Sequence, residues 1–182
     1  APAAAGRDRA GVNCLRARNK IHAVERDYTH HYAVGVNGEA GSDQYVFQHF
    51  NGLCLVGLAP SHAAMAGRRI TEVDFDVGRG GDRTDKKLSG KKKIGAAWLT
   101  EDSRLCDIVC DDGTRYRIRS CVKGHLMELN ERLKEEPGLI HSKTLTEGYV
   151  AIITPKRDEE AKIPFKFLSE TQYKEQIAAV GA

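Results

Sequence analysis

Residues 106–130 read Cys-Asp-Ile-Val-Cys-Asp-Asp-Gly-Thr-Arg-Tyr-Arg-Ile-Arg-Ser-Cys-Val-Lys-Gly-His-Leu-Met-Glu-Leu-Asn, and their pattern decides the class of fold. Two alternating runs flank Asp112-Gly113, the dipeptide favoured in a two-residue type I′ hairpin loop because both of its positions take positive φ. With Asp112 and Gly113 as the loop, Val109 faces Tyr116 and Asp107 faces Ile118. Leu105, Val109, Tyr116 and Ile118 then share the core side of a β ribbon, since strand side chains alternate with a period of two. Arg115, Arg117 and Arg119 line the other side, opposite Cys110, Ile108 and Cys106. A further strand, His125 to Leu129, follows Gly124.

The same grammar recurs upstream. Tyr45 to Phe50 and Leu53 to Leu58 are apolar runs joined by Asn51-Gly52, a strong short-range hairpin signal, and Pro60 stops the second strand. Before them, Val24 to Tyr32 leads into a Gly-rich turn at Gly35 to Gly41. After them, Ser61 to Gly67 has room for one helical turn. Ile70 to Val77 alternates Val73, Phe75 and Val77 with Glu72, Asp74 and Asp76, as a strand with one wet face does. Gly78 to Lys93 is a loop of glycine and charge holding Lys86, Lys87, Lys91, Lys92 and Lys93, and apolar character returns around Trp98.

Downstream, Asn130 to Ile140 reads as a short helix with Asn130 as N-cap, Leu133 facing inward and Pro137-Gly138 as its end. Tyr149 to Ile153 is an apolar strand closed by Thr154-Pro155. Ser169 and Gln172 have capping-box spacing, which predicts a terminal helix from about Glu170 to Ala179. Seven or eight short strands with tight turns and little helix predict a mainly β fold, a barrel or sandwich.

Composition bounds the function. The 182 residues, 41% of them hydrophobic, suffice for one domain with a core. With no apolar run of about 18 residues and no signal-peptide h-region, neither a membrane span nor secretion is expected. Five cysteines without regular spacing point to reduced thiols. The formal charge of +3 is uneven: residues 1–23 carry Arg7, Arg9, Arg16, Arg18 and Lys20 against Asp8, a net of +4, so the remainder is −1. Bulk charge of that size does not imply nucleic acid.

Chemical constellations are scarce. Cys106, Cys110, Cys121 and His125 are zinc-ligand types, but residues four apart on a strand lie about 13 Å apart, whereas thiolates on one zinc sit within about 4 Å. Packing thiols is the simpler reading. His30-His31 reads as a solvated pair near a strand end, and Asp111-Asp112 as turn chemistry rather than an acid–base couple. There is no Gly-x-Ser-x-Gly elbow, no His-Glu-x-x-His and no Gly-Lys-Ser/Thr phosphate loop. No catalytic, cofactor or metal residue is assigned.

Several segments resemble, in order, the actin-binding transcription modulator family, also called Abitram or Simiate. They are Tyr45 to Leu58 with Ala59-Pro60-Ser61-His62, Leu88-Ser89-Gly90-Lys91, Leu99-Thr100-Glu101, Ser120 to Glu131, and Thr146-Glu147-Gly148-Tyr149. Gly124-x-Leu126-x-Glu128-Leu129-Asn130 and Glu147-Gly148-Tyr149 also resemble the glycine-cleavage H-protein. That resemblance implies a barrel-sandwich hybrid of the biotinyl/lipoyl-carrier type, with a short helix and a C-terminal helix. In such carriers the hairpin before the Gly-x-Leu strand presents a lysine for lipoylation. Here the tip is Asp111-Asp112-Gly113, and no lysine lies between Lys93 and Lys123.

The expected organisation is a basic extension (1–23), an H-protein-like domain (24–168) and a terminal helix (169–182). The extension fits a flexible arm or the remnant of an organellar targeting sequence. The resemblance implies a non-enzymatic, non-lipoylated protein of nucleus and cytoplasm with actin as partner. The rival readings are a subunit of a larger assembly and, last, a lipoyl-type carrier. Partner contact is expected at Lys86, Lys87, Lys91, Lys92 and Lys93, and next at Arg115, Arg117 and Arg119. Nucleic acid is the weaker candidate among acidic partners, since the lysine loop has no aromatics to stack bases.

Overall fold

The computed structural model of the chain describes residues 23–76 and 97–180. The basic extension before Ala23, and the loop with Lys86, Lys87, Lys91, Lys92 and Lys93, lie outside the described residues. A short helix, α1 (Ala23–Asp27), leads into β1 (Tyr28–Ala33), β2 (Gln44–His49) and β3 (Cys54–Leu58). Next come β4 (Ile70–Asp74), β5 (Trp98–Leu99), β6 (Arg104–Cys110), β7 (Arg115–Arg119) and β8 (Gly124–Leu129). Single-turn helices α2 (Arg132–Glu135) and α3 (Leu139–Ser142) precede β9 (Ala151–Pro155). After α4 (Arg157–Glu160), α5 (Ile163–Lys166) and β10 (Leu168–Ser169) comes α6 (Glu170–Val180), the longest helix among the described residues. None of these helices is long and apolar enough to cross a membrane.

Among the described residues the strands form two antiparallel sheets, ordered β10-β1-β2-β3-β9-β8-β5 and β4-β6-β7. The larger sheet is open, with β10 and β5 at its edges. The main core lies between the sheets: Val46, Val56 and Ile153 of the larger pack with Leu105, Cys106, Ile108 and Ile118 of the smaller. The larger sheet also buries its other face. There Tyr32, Tyr45, Phe47 and Leu55 gather under Val24 and Tyr173, with Tyr32 stacked on Tyr173 at 3.9 Å and Tyr45 on Phe47 at 4.2 Å. Burial on both faces explains why Tyr45 to Leu58 reads as nearly continuous apolar runs rather than as alternation.

The central hairpin forms, but not with the expected loop. Cys110 N–H donates to Thr114 O at 2.9 Å and Gly113 N–H to Cys110 O at 2.9 Å, leaving three residues, Asp111 to Gly113, in the turn. Only Gly113 takes a left-handed conformation (φ 80°), the geometry of a type I turn closed by a bulge. One extra loop residue slips the register by one, so Val109 faces Arg115, Ile108 faces Tyr116 and Cys106 faces Ile118. Cys106, Ile108 and Cys110 therefore point inward, while Val109 joins Asp107, Arg115 and Arg117 on the outer face. A shift near Arg104 lets both Leu105 and Cys106 be buried. The Asn51-Gly52 hairpin repeats the design: His49 N–H pairs with Leu53 O, Gly52 carries φ 89°, and Phe50 is in the loop, not the strand.

The region 130–140 also differs from the single helix predicted. It is two separate turns, and Asn130 caps neither. Its buried side-chain amide instead donates to Glu147 O at 2.7 Å and Tyr149 O at 2.8 Å. Tyr149 in turn donates to Glu128 Oε1 at 2.7 Å, and Arg132 pairs with Glu147 at 2.8 Å. The motif glycines sit where backbones cross: a Cβ on Gly124 would lie 2.1 Å from Thr154 O, and one on Gly148 2.6 Å from Leu139 O. The capping box at Ser169 and Gln172 forms as expected, at 3.0 and 3.4 Å. His30 and His31 are not a solvated pair. His30 stacks on Phe47 at 4.0 Å and faces Glu170 at 3.3 Å, and His31 is buried with neither ring nitrogen hydrogen-bonded.

Candidate partner-binding surface

The small sheet β4-β6-β7 turns one face to the core and the other to solvent. Pairing places Glu72 beside Val109 and Arg115, and Asp74 beside Asp107 and Arg117, so two rows of side chains cross the outer face. Carboxylates occupy the β4 side and guanidinium groups the β7 side. Arg115 reaches Asp74 at 4.0 Å and Arg117 reaches Asp107 at 3.8 Å, with the arginine side chains 60% and 53% exposed. Ion pairs this long and wet contribute well under about 1 kcal/mol, so both groups are free to exchange partners.

Asp107 is different. Buried among its neighbours, it takes a bidentate grip from Arg104 at 2.8 and 2.7 Å, which fixes the middle of the face. At the hairpin tip, Arg68 pairs with Asp112 at 3.0 Å and lies over the Tyr116 ring at 5.7 Å. Hydrogen bonds from Thr114 hold the Asp112 carboxyl below the usual carboxylate range, with the Arg68 charge adding to the effect. Asp111 N–H donates to Arg69 O at 2.9 Å, tying the tip to the start of β4.

The predicted arginine trio is thus divided. Arg115 and Arg117 stand together on an edge strand, where charge also discourages edge-to-edge pairing. Arg119 is a joint of the fold. Its backbone is held by the side-chain amide of Gln44, and its Nη1 donates to Asp102 O at 2.5 Å. With the Asn37 amide turned so that both its atoms are satisfied, its oxygen accepts from Arg119 Nε at 2.7 Å. The acidic half of the face, and Arg104 and Arg68, went unassigned in the sequence. The alternation at 70–77 marks Glu72 and Asp74 as wet, but only the non-local β4–β6 pairing sets them beside the arginines.

Among the described residues the thiols offer no reactive group. Cys54, Cys106, Cys110 and Cys121 are buried, and desolvation pushes Cys54 and Cys121 up to about 12 and raises Cys106 and Cys110. His125 lies apart, against the Trp98 ring at 4.9 Å. Among the described residues no group of three His, Cys, Asp or Glu is placed to hold a metal ion.

Comparison with known proteins agrees with this architecture. Residues 114–179 match the family model for the glycine cleavage H-protein, a match that begins just past the hairpin tip. The chain is 39% identical over 153 residues to the human protein Abitram, covering 84% of each chain. It is 38% identical over 155 residues to that of Bos taurus, covering 85% of this chain and 83% of that one. Similarity extends to the protein Abitram of Dictyostelium discoideum, at 34% over 135 residues, 72% of this chain and 74% of that one. A glycine cleavage system H protein from Mycobacterium marinum superposes with a TM-score of 0.53 at 12% identity, covering 74% of this chain and 91% of that one, a likeness of fold alone.

Proposed function

Because the chain belongs to the Abitram family, we propose that it is a non-enzymatic binding protein that engages actin and acts in actin assembly and transcription, in nucleus and cytoplasm. The observation that carries this reading is the outer face of β4-β6-β7. Its core side is locked by packing, its centre is fixed by the Arg104–Asp107 pair, and Arg115 and Arg117 stand exposed at one edge. Such a face is preorganised for a protein partner that presents acidic groups to the β7 side and basic groups to the β4 side.

Near-balance of charge favours protein over nucleic acid, whose backbone would meet the Glu72 and Asp74 carboxylates as well as the arginines. A lipoyl-carrier role is disfavoured by the tip Asp111-Asp112-Gly113, which has no amine to acylate. The second reading, a subunit of a larger assembly, is favoured by Val34 and Ile177, each 38% exposed beside a groove of about 390 Å³ along α6. Size analysis of the native protein separates the two, since a fixed subunit elutes with its complex.

Co-sedimentation with filamentous actin over a salt series tests the first reading. Binding that weakens steeply as salt rises is expected, because the contacts invoked are exposed charges. No binding at low salt overturns it. Replacing the five lysines between Lys86 and Lys93 with alanine, separately from Arg115 and Arg117, apportions the binding between the two basic elements.

A further inference from the structure

Away from the sheet face, a cavity of about 400 Å³ opens between the start of β1, the tip of the β2–β3 hairpin and α4, lined by Arg26, Tyr28, His49, Phe50 and Glu160 among others. Three of these are aromatic and touch in series. The Tyr28 and His49 rings lie 4.8 Å apart and the His49 and Phe50 rings 4.1 Å apart, tilted rather than coplanar, so together they make a bent wall. Phe50 is 83% exposed at the hairpin tip, a position at which no packing demand of the fold calls for an aromatic ring.

The charges of the cavity are also informative. Arg26 is committed to Asp27 through two hydrogen bonds of 2.7 Å, a pair that leaves no net charge. Glu160 is the remaining carboxylate. No ion pair joins it to a described lysine, arginine or histidine. Its carboxylate lies flat against Gly52, where an added Cβ would stand 2.8 and 3.0 Å from the two oxygens, so the glycine's missing side chain is what lets the acid reach this position. Gln48 also reaches this helix, donating to Glu160 O at 3.4 Å.

An aromatic wall beside an unpaired carboxylate is a receptor for an organic cation. The ring faces attract a positive head group and the carboxylate supplies the counter-charge, while the Arg26 guanidinium is held on Asp27. A carboxylate-bearing ligand would meet Glu160 unscreened. We propose that this cavity binds the ammonium head of a lysine side chain, in free or methylated form, on a basic peptide segment of a partner protein. This site is on different strands from the arginine face and stands independently of it.

The test is an NMR titration of the intact chain, reading the ring resonances of Tyr28, His49 and Phe50. Four probes are compared: a lysine-centred peptide, the same peptide with trimethyllysine, the same peptide with glutamate in place of lysine, and tetramethylammonium chloride. Saturable shifts with both lysine peptides and none with the glutamate peptide are expected. Phe50→Ala and Glu160→Gln are each expected to weaken peptide binding at least fivefold. Phe50 is in an exposed loop and Glu160→Gln keeps its shape, so both variants should retain the wild-type amide spectrum elsewhere. Response to tetramethylammonium alone would overturn the peptide partner in favour of a free ammonium metabolite. Absence of saturable shifts with every probe, or equal peptide affinity in both variants, would overturn the site.

Discussion

The side-chain amide of Gln44 closes a two-way hydrogen bond with the backbone of Arg119: its Nε2 donates to Arg119 O at 2.8 Å, and Arg119 N–H donates to its Oε1 at 3.0 Å. Gln44 opens β2 in the larger sheet and Arg119 closes β7 in the smaller, so one side chain stands in for a strand and stitches the two sheets together. The pair is part-buried, and Gln44 itself is only 1% exposed.

Removing that amide takes away the side-chain partner of a part-buried N–H and leaves the C=O only a weak contact from Cys121 Sγ at 3.8 Å. Gln44→Ala is therefore expected to cost about 2–3 kcal/mol, more than an ordinary surface truncation. Urea unfolding at neutral pH measures it, and a loss below about 0.5 kcal/mol would show that the stitch is dispensable.

The two motif glycines should behave unlike a third. Gly124→Ala and Gly148→Ala force a methyl into backbone atoms 2.1 and 2.6 Å away and should each destabilise by about 2 kcal/mol or more. Gly138 has nothing within 4 Å of its would-be Cβ and sits at φ −62°, so Gly138→Ala should be neutral or stabilise by about 0.5 kcal/mol. Thermal melts of the three variants decide the point, and equal melting temperatures would refute the steric reading of the motif.

These residues bear on how much was legible in the sequence. Ser120 to Glu131 and Glu147 to Tyr149 point to the right scaffold because Glu128, Asn130, Glu147 and Tyr149 are joined by hydrogen bonds, and Gly124 and Gly148 sit at close backbone crossings that the fold requires. What failed was local geometry settled by a single residue. Asp-Gly and Asn-Gly fit two-residue and three-residue loops alike, and the longer loop reversed which residues of β6 face inward. Asn130 looked like a helix cap because its carbonyl partners lie 17 and 19 residues away, beyond any local pattern. Glu72, Asp74 and the aromatic wall at Tyr28, His49 and Phe50 depend on tertiary pairing in the same way.

Stability should fall in acid through a buried imidazole. His62 is 1% exposed, its Nδ1 accepts from Ala64 N–H at 3.0 Å, and desolvation pushes its pKa down to about 4 from the usual 6.5. The unfolded chain binds this proton first, so stability is full above about pH 6.5 and declines as pH falls toward 4, by about 3 kcal/mol in all. Burial of His31 acts in the same direction. Urea midpoints at pH 7 and pH 4.5 should differ less in His62→Asn, whose Oδ1 can accept the same N–H. An identical difference in both proteins would remove His62 from the account.

The carrier alternative makes a prediction about mass. Expressed with lipoate and an active lipoyl ligase, the chain should show only its unmodified intact mass, because the tip residues Asp111, Asp112 and Gly113 offer no ε-amine. A lipoyl increment on any lysine would reinstate the carrier.

On the function proposed above, the outer face of β4-β6-β7 is a binding surface whose basic edge is Arg115 and Arg117. Co-sedimentation with filamentous actin at low salt tests it, comparing the wild type with Arg115→Ala/Arg117→Ala. The exposed ion pairs at this edge contribute little to stability, so the variant should melt within a few degrees of wild type. At least tenfold weaker actin binding by this folded variant is expected. Wild-type affinity in the variant would contradict it.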